Sequence, residues 1–114
     1  MWLKRSPGFM LETVETPILL EAASPGSLLG EWQWFSGLKL LDKPVDLLYL
    51  PTATHVLVKP WDRLASLGPT VDWFRFWLKG EEDPDPAKAE QYAGWRELRK
   101  LQQQNQNKAS ATAN

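Results

Sequence analysis

Two short apolar runs, each entered near a proline and separated by one helix-length segment, constrain this chain more than any other feature. The first is Thr16-Pro17-Ile18-Leu19-Leu20-Glu21-Ala22, and the second, after Asp42-Lys43-Pro44, is Val45-Asp46-Leu47-Leu48-Tyr49-Leu50. Runs this short and this apolar read as buried strands, and a proline at a strand's first position costs no ladder donor. Between them Ala23-Ser24-Pro25-Gly26 reads as a turn. Ser27 can then cap a helix to about Leu41, with Leu28, Trp32, Phe35 and Leu38 three or four residues apart. Strand, helix, strand is a βαβ unit, so the expected class is α/β, with Pro17–Glu21 and Val45–Leu50 as adjacent parallel strands joined by a right-handed crossover.

The flanking segments are less regular. Trp2 to Glu15 contains Ser6-Pro7-Gly8 and reads as a loop or short helical turn. From Pro60 to about Gly80 a helical pattern places Val71, Phe74 and Leu78 on one face and Asp72, Arg75 and Lys79 on the other. Gly68-Pro69 should break or kink it, because proline lacks a helix donor and clashes with the preceding turn. Trp73, Phe74, Phe76 and Trp77 could be imagined as a ligand-stacking box, but at helical spacing they read as core. Glu81-Glu82-Asp83-Pro84 reads as a solvated linker, and Asp62-Arg63 as an exposed pair worth little. Asp85 and Pro86 can then start a last helix anchored by Tyr92, Trp95, Leu98 and Leu101. Beyond it the polar tail has nothing to bury and is expected to be disordered.

Composition narrows the function classes. Thirteen basic against fourteen acidic residues leave a net charge of −1, too little field to draw in nucleic acid or an anionic membrane. Cysteine is absent and histidine occurs once, so no Cys- or His-rich metal site can form, and no cofactor is expected. No apolar run approaches the ~20 residues that span a bilayer, and the first residues lack the pattern of a secretory signal, so a cytoplasmic location is expected for the chain as written. Seven tryptophans in 114 residues are many, and some of these rings are expected to need a partner surface.

The single histidine is the candidate site. Pro51-Thr52-Ala53-Thr54-His55-Val56 follows the second strand at its carboxyl end, the edge of an open α/β sheet where ligands bind and catalytic side chains sit. A histidine in a polar loop is otherwise unremarkable. Glu21, which ends the first strand, could serve as an acid at the same edge, although a solvated strand-end charge is the simpler reading.

Several phrases in order resemble the end of the catalytic domain of S9 serine peptidases, the prolyl oligopeptidase and dipeptidyl-peptidase-like family of α/β-hydrolases. Ser6-Pro7-Gly8-Phe9 with Val14-Glu15-Thr16-Pro17-Ile18-Leu19-Leu20 looks like the entry to that family's seventh strand. Lys43-Pro44-Val45-Asp46-Leu47-Leu48-Tyr49-Leu50-Pro51 looks like its final strand, and Asp72-Trp73-Phe74-Arg75-Phe76-Trp77-Leu78-Lys79-Gly80 is similar to its closing helix. Asp83 to Arg99, with Lys88, Tyr92 and Trp95, looks like the tail of bacterial members, including those related to lasso-peptide isopeptidases.

The resemblance implies a C-terminal fragment of an α/β-hydrolase fold, with parallel strands flanked by helices. Residues 1–80 would be the end of the catalytic domain, 81–104 a linker and C-terminal helix, and 105–114 a disordered tail. It implies a peptide substrate, and it places His55 at the position of the triad histidine. The family's Gly-x-Ser-x-Gly nucleophile turn has no counterpart around Ser6, Ser24, Ser27, Ser36, Ser66 or Ser110. The triad acid would fall in the turn after the first strand, where Ser24 stands instead. Loss of that carboxylate costs about 10⁴ in turnover in a Ser-His-Asp triad, so even a restored serine would leave a weak enzyme, and with no nucleophile turn the chain alone is expected to be inactive. The competing reading is a non-catalytic binding or assembly module that keeps the fold. Under either reading, self-association or pairing with a missing N-terminal half is expected, because two strands leave sheet edges uncovered.

Overall fold

The structure, a computed structural model, describes Gly8 and residues 10–112. The loop expected over Trp2–Glu15 lies partly outside those residues, as does most of Ser6-Pro7-Gly8-Phe9; within them it holds one 3₁₀ turn, Leu11–Thr13.

The two apolar runs form β1 (Ile18–Ala22) and β2 (Val45–Tyr49), paired in parallel with Ile18 opposite Val45 and Ala22 opposite Tyr49. The ladder is extended at both ends, where Ile18 N–H donates to the Pro44 carbonyl at 3.0 Å and Leu50 N–H to Ala22 at 2.9 Å. Helix α1 (Pro25–Leu40) connects them and packs across both strands. Its cap is Ser24, not Ser27. The Ser24 hydroxyl accepts from Ser27 N–H at 3.1 Å, and the Ser27 hydroxyl accepts from Ser24 N–H at 3.0 Å. This reciprocal capping box moves the helix start forward to Pro25, whose fixed φ suits the first turn.

The other face of the sheet carries α2 (Pro60–Phe74) and α3 (Ala89–Thr112). Side chains alternate across a strand, and on this face Leu19 packs against an aromatic cluster while Glu21 meets α2. Asp46, the register partner of Leu19, meets α3, since Trp95 Nε1 donates to its carboxylate at 2.7 Å. The result is a slice of a three-layer α/β/α sandwich. Its Cα atoms span 51 × 42 × 18 Å, thin in one direction because the sheet is only two strands wide.

Helix α2 departs from expectation twice. It runs unbroken through Pro69, held on one side by Ser66, which bonds to Glu21, and on the other by buried Trp73. The break comes later, as a widened π-type turn at Arg75–Lys79 that ends on Gly80 at φ +72°, a conformation glycine adopts without Cβ strain. The buried face is also the reverse of the expected one. Asp72, Trp73 and Phe76 are buried, whereas Val71, Phe74 and Leu78 are exposed. Both faces of this helix are apolar, and the choice falls to the one whose aromatics interlock with Tyr92 and Trp95 on α3. Of the four candidate stacking rings, Trp73 and Phe76 are core, Trp77 is partly buried and Phe74 is not.

Asp85 caps the 3₁₀ turn Pro86–Lys88, accepting from Ala87 N–H at 2.9 Å, and α3 follows. The helix continues to Thr112, where a disordered tail from residue 105 was expected. The polar tail does find partners: Asn105 donates to the Asp42 carbonyl at 2.8 Å, and Gln102, Asn105 and Ala109 wall a cleft of about 330 Å³ with Val14, Lys43 and Pro44. No helix among the described residues is long and apolar enough to cross a membrane.

Candidate active site

Because β1 and β2 run in parallel and in register, the segments leaving Ala22 and Tyr49 emerge at one edge of the sheet. Ser24 lies two residues past β1 and His55 six residues past β2, so both follow that carboxyl edge. Leu50 and Ala53 are buried and root the His55 loop; Ala53 N–H donates to the Leu50 carbonyl at 3.2 Å, closing a turn. Thr54 Oγ1 donates to the Val56 carbonyl at 2.7 Å, and Arg63 Nε to Leu57 at 2.6 Å, which pins the far side to α2. Arg63 is thereby used by the loop and does not pair with Asp62. His55 itself is exposed on this short loop, and no hydrogen bond from another described residue holds its imidazole.

Neither candidate acid position, Ser24 or Glu21, holds a carboxylate hydrogen-bonded to that imidazole. Ser24 spends its hydroxyl on the α1 cap, contacting Ser27 N–H at 3.1 Å and the Ser27 hydroxyl at 3.2 Å. Glu21 accepts a 2.9 Å hydrogen bond from the buried Ser66 hydroxyl, and so faces α2 as a bonded group rather than standing as a solvated strand-end charge. Among the described residues the edge therefore holds a histidine on a short loop, without a bonded carboxylate of the kind that fixes an imidazole's tautomer and stabilises its cation. The cleft along α3 lies at the opposite, amino-terminal edge, beside Glu15 and Pro44, and is not part of this arrangement.

The most highly organised charges are elsewhere, in a clasp between α2 and α3 that sequence reasoning missed. Lys88 Nζ lies 2.8 Å from buried Asp72 and 2.6 Å from Asp83. The hydrogen bond to Asp72, then that to Asp83, raises the Lys88 pKa well above its ordinary value. Lys88, then the Asp85 N–H, lowers that of Asp83. Burial raises that of Tyr92. The acidic linker is thus paired and not merely solvated, with Glu82 also bound to Arg96 at 2.7 Å. Arg99 stacks its guanidinium over Phe76, 3.7 Å from the ring centroid, and donates to the Phe76 carbonyl. The available signal was Asp72 and Asp46, each set within an apolar segment where a charge needs a partner.

No protein-family model matches the chain. It is 44% identical over 90 residues to the lasso peptide isopeptidase AtxE2 of Asticcacaulis excentricus, covering 79% of this chain and 13% of that protein. The fold agrees with two solved structures of AtxE2 isopeptidase. With a serine-to-alanine variant that has Astexin3-dC4 bound, the TM-score is 0.79 at 40% identity; with the apo form it is 0.75 at 38%. Each covers 88% of this chain and 15% of the solved one. The chain is therefore homologous to a small part of an isopeptidase, a hydrolase-related segment that spans about an eighth of its curated relative.

Proposed function

We propose that this chain is the C-terminal segment of an S9-type α/β-hydrolase acting on peptides, and that His55 stands where the general base of a Ser-His-Asp triad belongs. The observation that carries this reading is the parallel β1–β2 pair, which delivers the Ser24 turn and the His55 loop to one sheet edge, the order in which such hydrolases present acid and base. The homologous isopeptidase supports the substrate class, since its serine-to-alanine variant was solved with the peptide Astexin3-dC4 bound. With Ser24 in the acid's place, the segment supplies a base that is positioned and poorly oriented.

The test is a chimera in which residues 8–112 replace the matching segment of the isopeptidase. Weak hydrolysis of a lasso peptide, abolished by His55→Ala, is the expected result. Hydrolysis indifferent to His55→Ala would reject the assignment. A second reading, a non-catalytic module, is favoured by the commitment of the Ser24 hydroxyl to a helix cap, and a folded but wholly inactive chimera would select it.

A further inference from the structure

His55 sits midway between two anchored residues of its loop. Two residues before it, buried Ala53 donates its N–H to the Leu50 carbonyl at 3.2 Å, and Leu50 N–H donates to the Ala22 carbonyl of β1 at 2.9 Å. Two residues after it, the Leu57 carbonyl accepts from Arg63 Nε at 2.6 Å. Between the anchors, Thr54 Oγ1 reaches past His55 to the Val56 carbonyl at 2.7 Å. The first anchor is backbone and continues the ladder. The second is a side chain, and whatever holds that side chain decides where the far half of the loop rests.

Arg63 stands at the end of the first turn of α2, and Lys59, the residue before the helix, makes no side-chain cap bond. Among the described residues Arg63 is thus the side chain that ties the exit of the loop to the helix. A planar guanidinium gives a carbonyl a charge-assisted bond of fixed direction, which a lysine's mobile point charge does not. Three residues further along the same helix face, buried Ser66 donates its hydroxyl to Glu21 at 2.9 Å. Glu21 lies in β1, three residues before Ser24. Between Arg63 and Ser66 the helix supplies less than one turn of rigid rise, so the spacing of the two bonds is fixed.

We infer that Glu21, Ser66 and Arg63 act as one strut that sets the His55 loop against β1, which makes Glu21 a positioning residue and not the missing acid. This rests on the reading under Proposed function. Strand β1 carries the acid's turn and β2 the loop of the base, yet both halves of that loop lead back to β1. One route is backbone, through Leu50 to Ala22; the other is side chains, through Arg63, α2 and Ser66 to Glu21. Acid and base of a triad must meet at hydrogen-bond distance, and a misplacement of about 1 Å can cost ~10²-fold in rate. Referring the base to the strand that carries the acid meets that demand from a short, exposed loop. The bond from Ser66 asks Glu21 only for an acceptor, not for a charge.

His55 is the single histidine of the chain, so isotope-labelled histidine gives one backbone amide signal. Its order parameter should lie near the rigid value of about 0.85 and fall below about 0.6 in Arg63→Ala, an exposed position at which the fold should survive. Glu21→Leu should loosen the same amide from the other strand. The double variant should loosen it no further than Arg63→Ala alone, because both changes cut one tie. Glu21→Gln, which keeps an acceptor for Ser66, should preserve the order. In the chimera, Arg63→Ala and Glu21→Leu should each lower kcat about 10-fold or more with KM within about 3-fold, and Glu21→Gln should lower kcat by less than about 3-fold. A mobile His55 amide in the unsubstituted chain, or one that stays ordered in Arg63→Ala, would overturn the inference. So would a Glu21→Gln chimera that loses turnover while the loop stays ordered, since Glu21 would then act through its charge. A chimera that hydrolyses nothing, while the His55 amide follows these variants, would leave the strut standing and defeat the catalytic reading.

Discussion

The α2–α3 clasp and the His55 loop both carry polar groups, and the structure treats them in opposite ways. In the clasp, Trp73, Phe76, Tyr92 and Trp95 interlock at centroid distances of 5.2–6.1 Å, and Asp72 is buried against Lys88. At the loop, the backbone is fixed by Leu50, Ala53 and Arg63, while the residue that carries the imidazole is exposed and has no hydrogen-bond partner for its ring among the described residues. The contrast separates scaffold from chemistry. Burial and paired charge hold the segment's shape, and the group that would do chemistry contributes nothing to it.

The strongest way to break that comparison is to empty the clasp. Trp95→Ala removes a fully buried ring and the bond to Asp46, and should cost about 3–5 kcal/mol, enough to unfold a chain with so small a core. Denaturant unfolding by tryptophan fluorescence and far-UV dichroism checks it, and a loss below about 1 kcal/mol would show that the cluster is not the core. Next is Lys88→Met, which leaves Asp72 buried without its cation and should cost about 3 kcal/mol, since removing one partner of a buried pair strands the other.

The clasp also predicts a pH response. Lys88 has a raised pKa, so its contribution is complete below the ordinary lysine value and is lost only as pH rises through the higher folded value. Asp83 has a lowered pKa, so its contribution is present above about 3.8 and is lost as pH falls through the folded value. Stability should be flat between about pH 5 and 9 and decline below pH 4, with the acid limb reduced in Asp83→Asn. The smallest effect sharpens the comparison from the other side: His55→Ala should change stability by less than about 0.5 kcal/mol, because the residue is exposed and no hydrogen bond among the described residues holds its ring.

Much of the fold was legible in the sequence where local rules act alone. Proline-entered apolar runs gave β1 and β2 to within a residue or two, and Asp85-Pro86 marked the start of the last helical segment. Legibility failed where tertiary partners decide. Asp72 reads as an outward charge until Lys88 and Gln91 are brought beside it, which reverses the buried face of α2. Pro69 reads as a break until Glu21 and the aromatic cluster hold both of its flanks. The tail after Gln102 reads as unanchored until the Asp42 carbonyl is placed within reach of Asn105. At the candidate site the sequence named His55 and the Ser24 substitution. It could not show that the Ser24 hydroxyl is already committed to the α1 cap, because that depends on the helix starting at Pro25 rather than after Ser27.

The central claim, as proposed above, is that His55 stands in the place of a general base at the carboxyl edge of the sheet and that Ser24 stands in the place of the carboxylate that would orient it. It is tested most directly by the turnover of the chimera with and without Ser24→Asp. Aspartate is itself a good helix cap, so the substitution should leave α1 intact. The account predicts a gain in turnover of about 10²–10⁴ that disappears when His55→Ala is added. No gain from Ser24→Asp in a folded chimera, or a gain that survives the loss of His55, would contradict it.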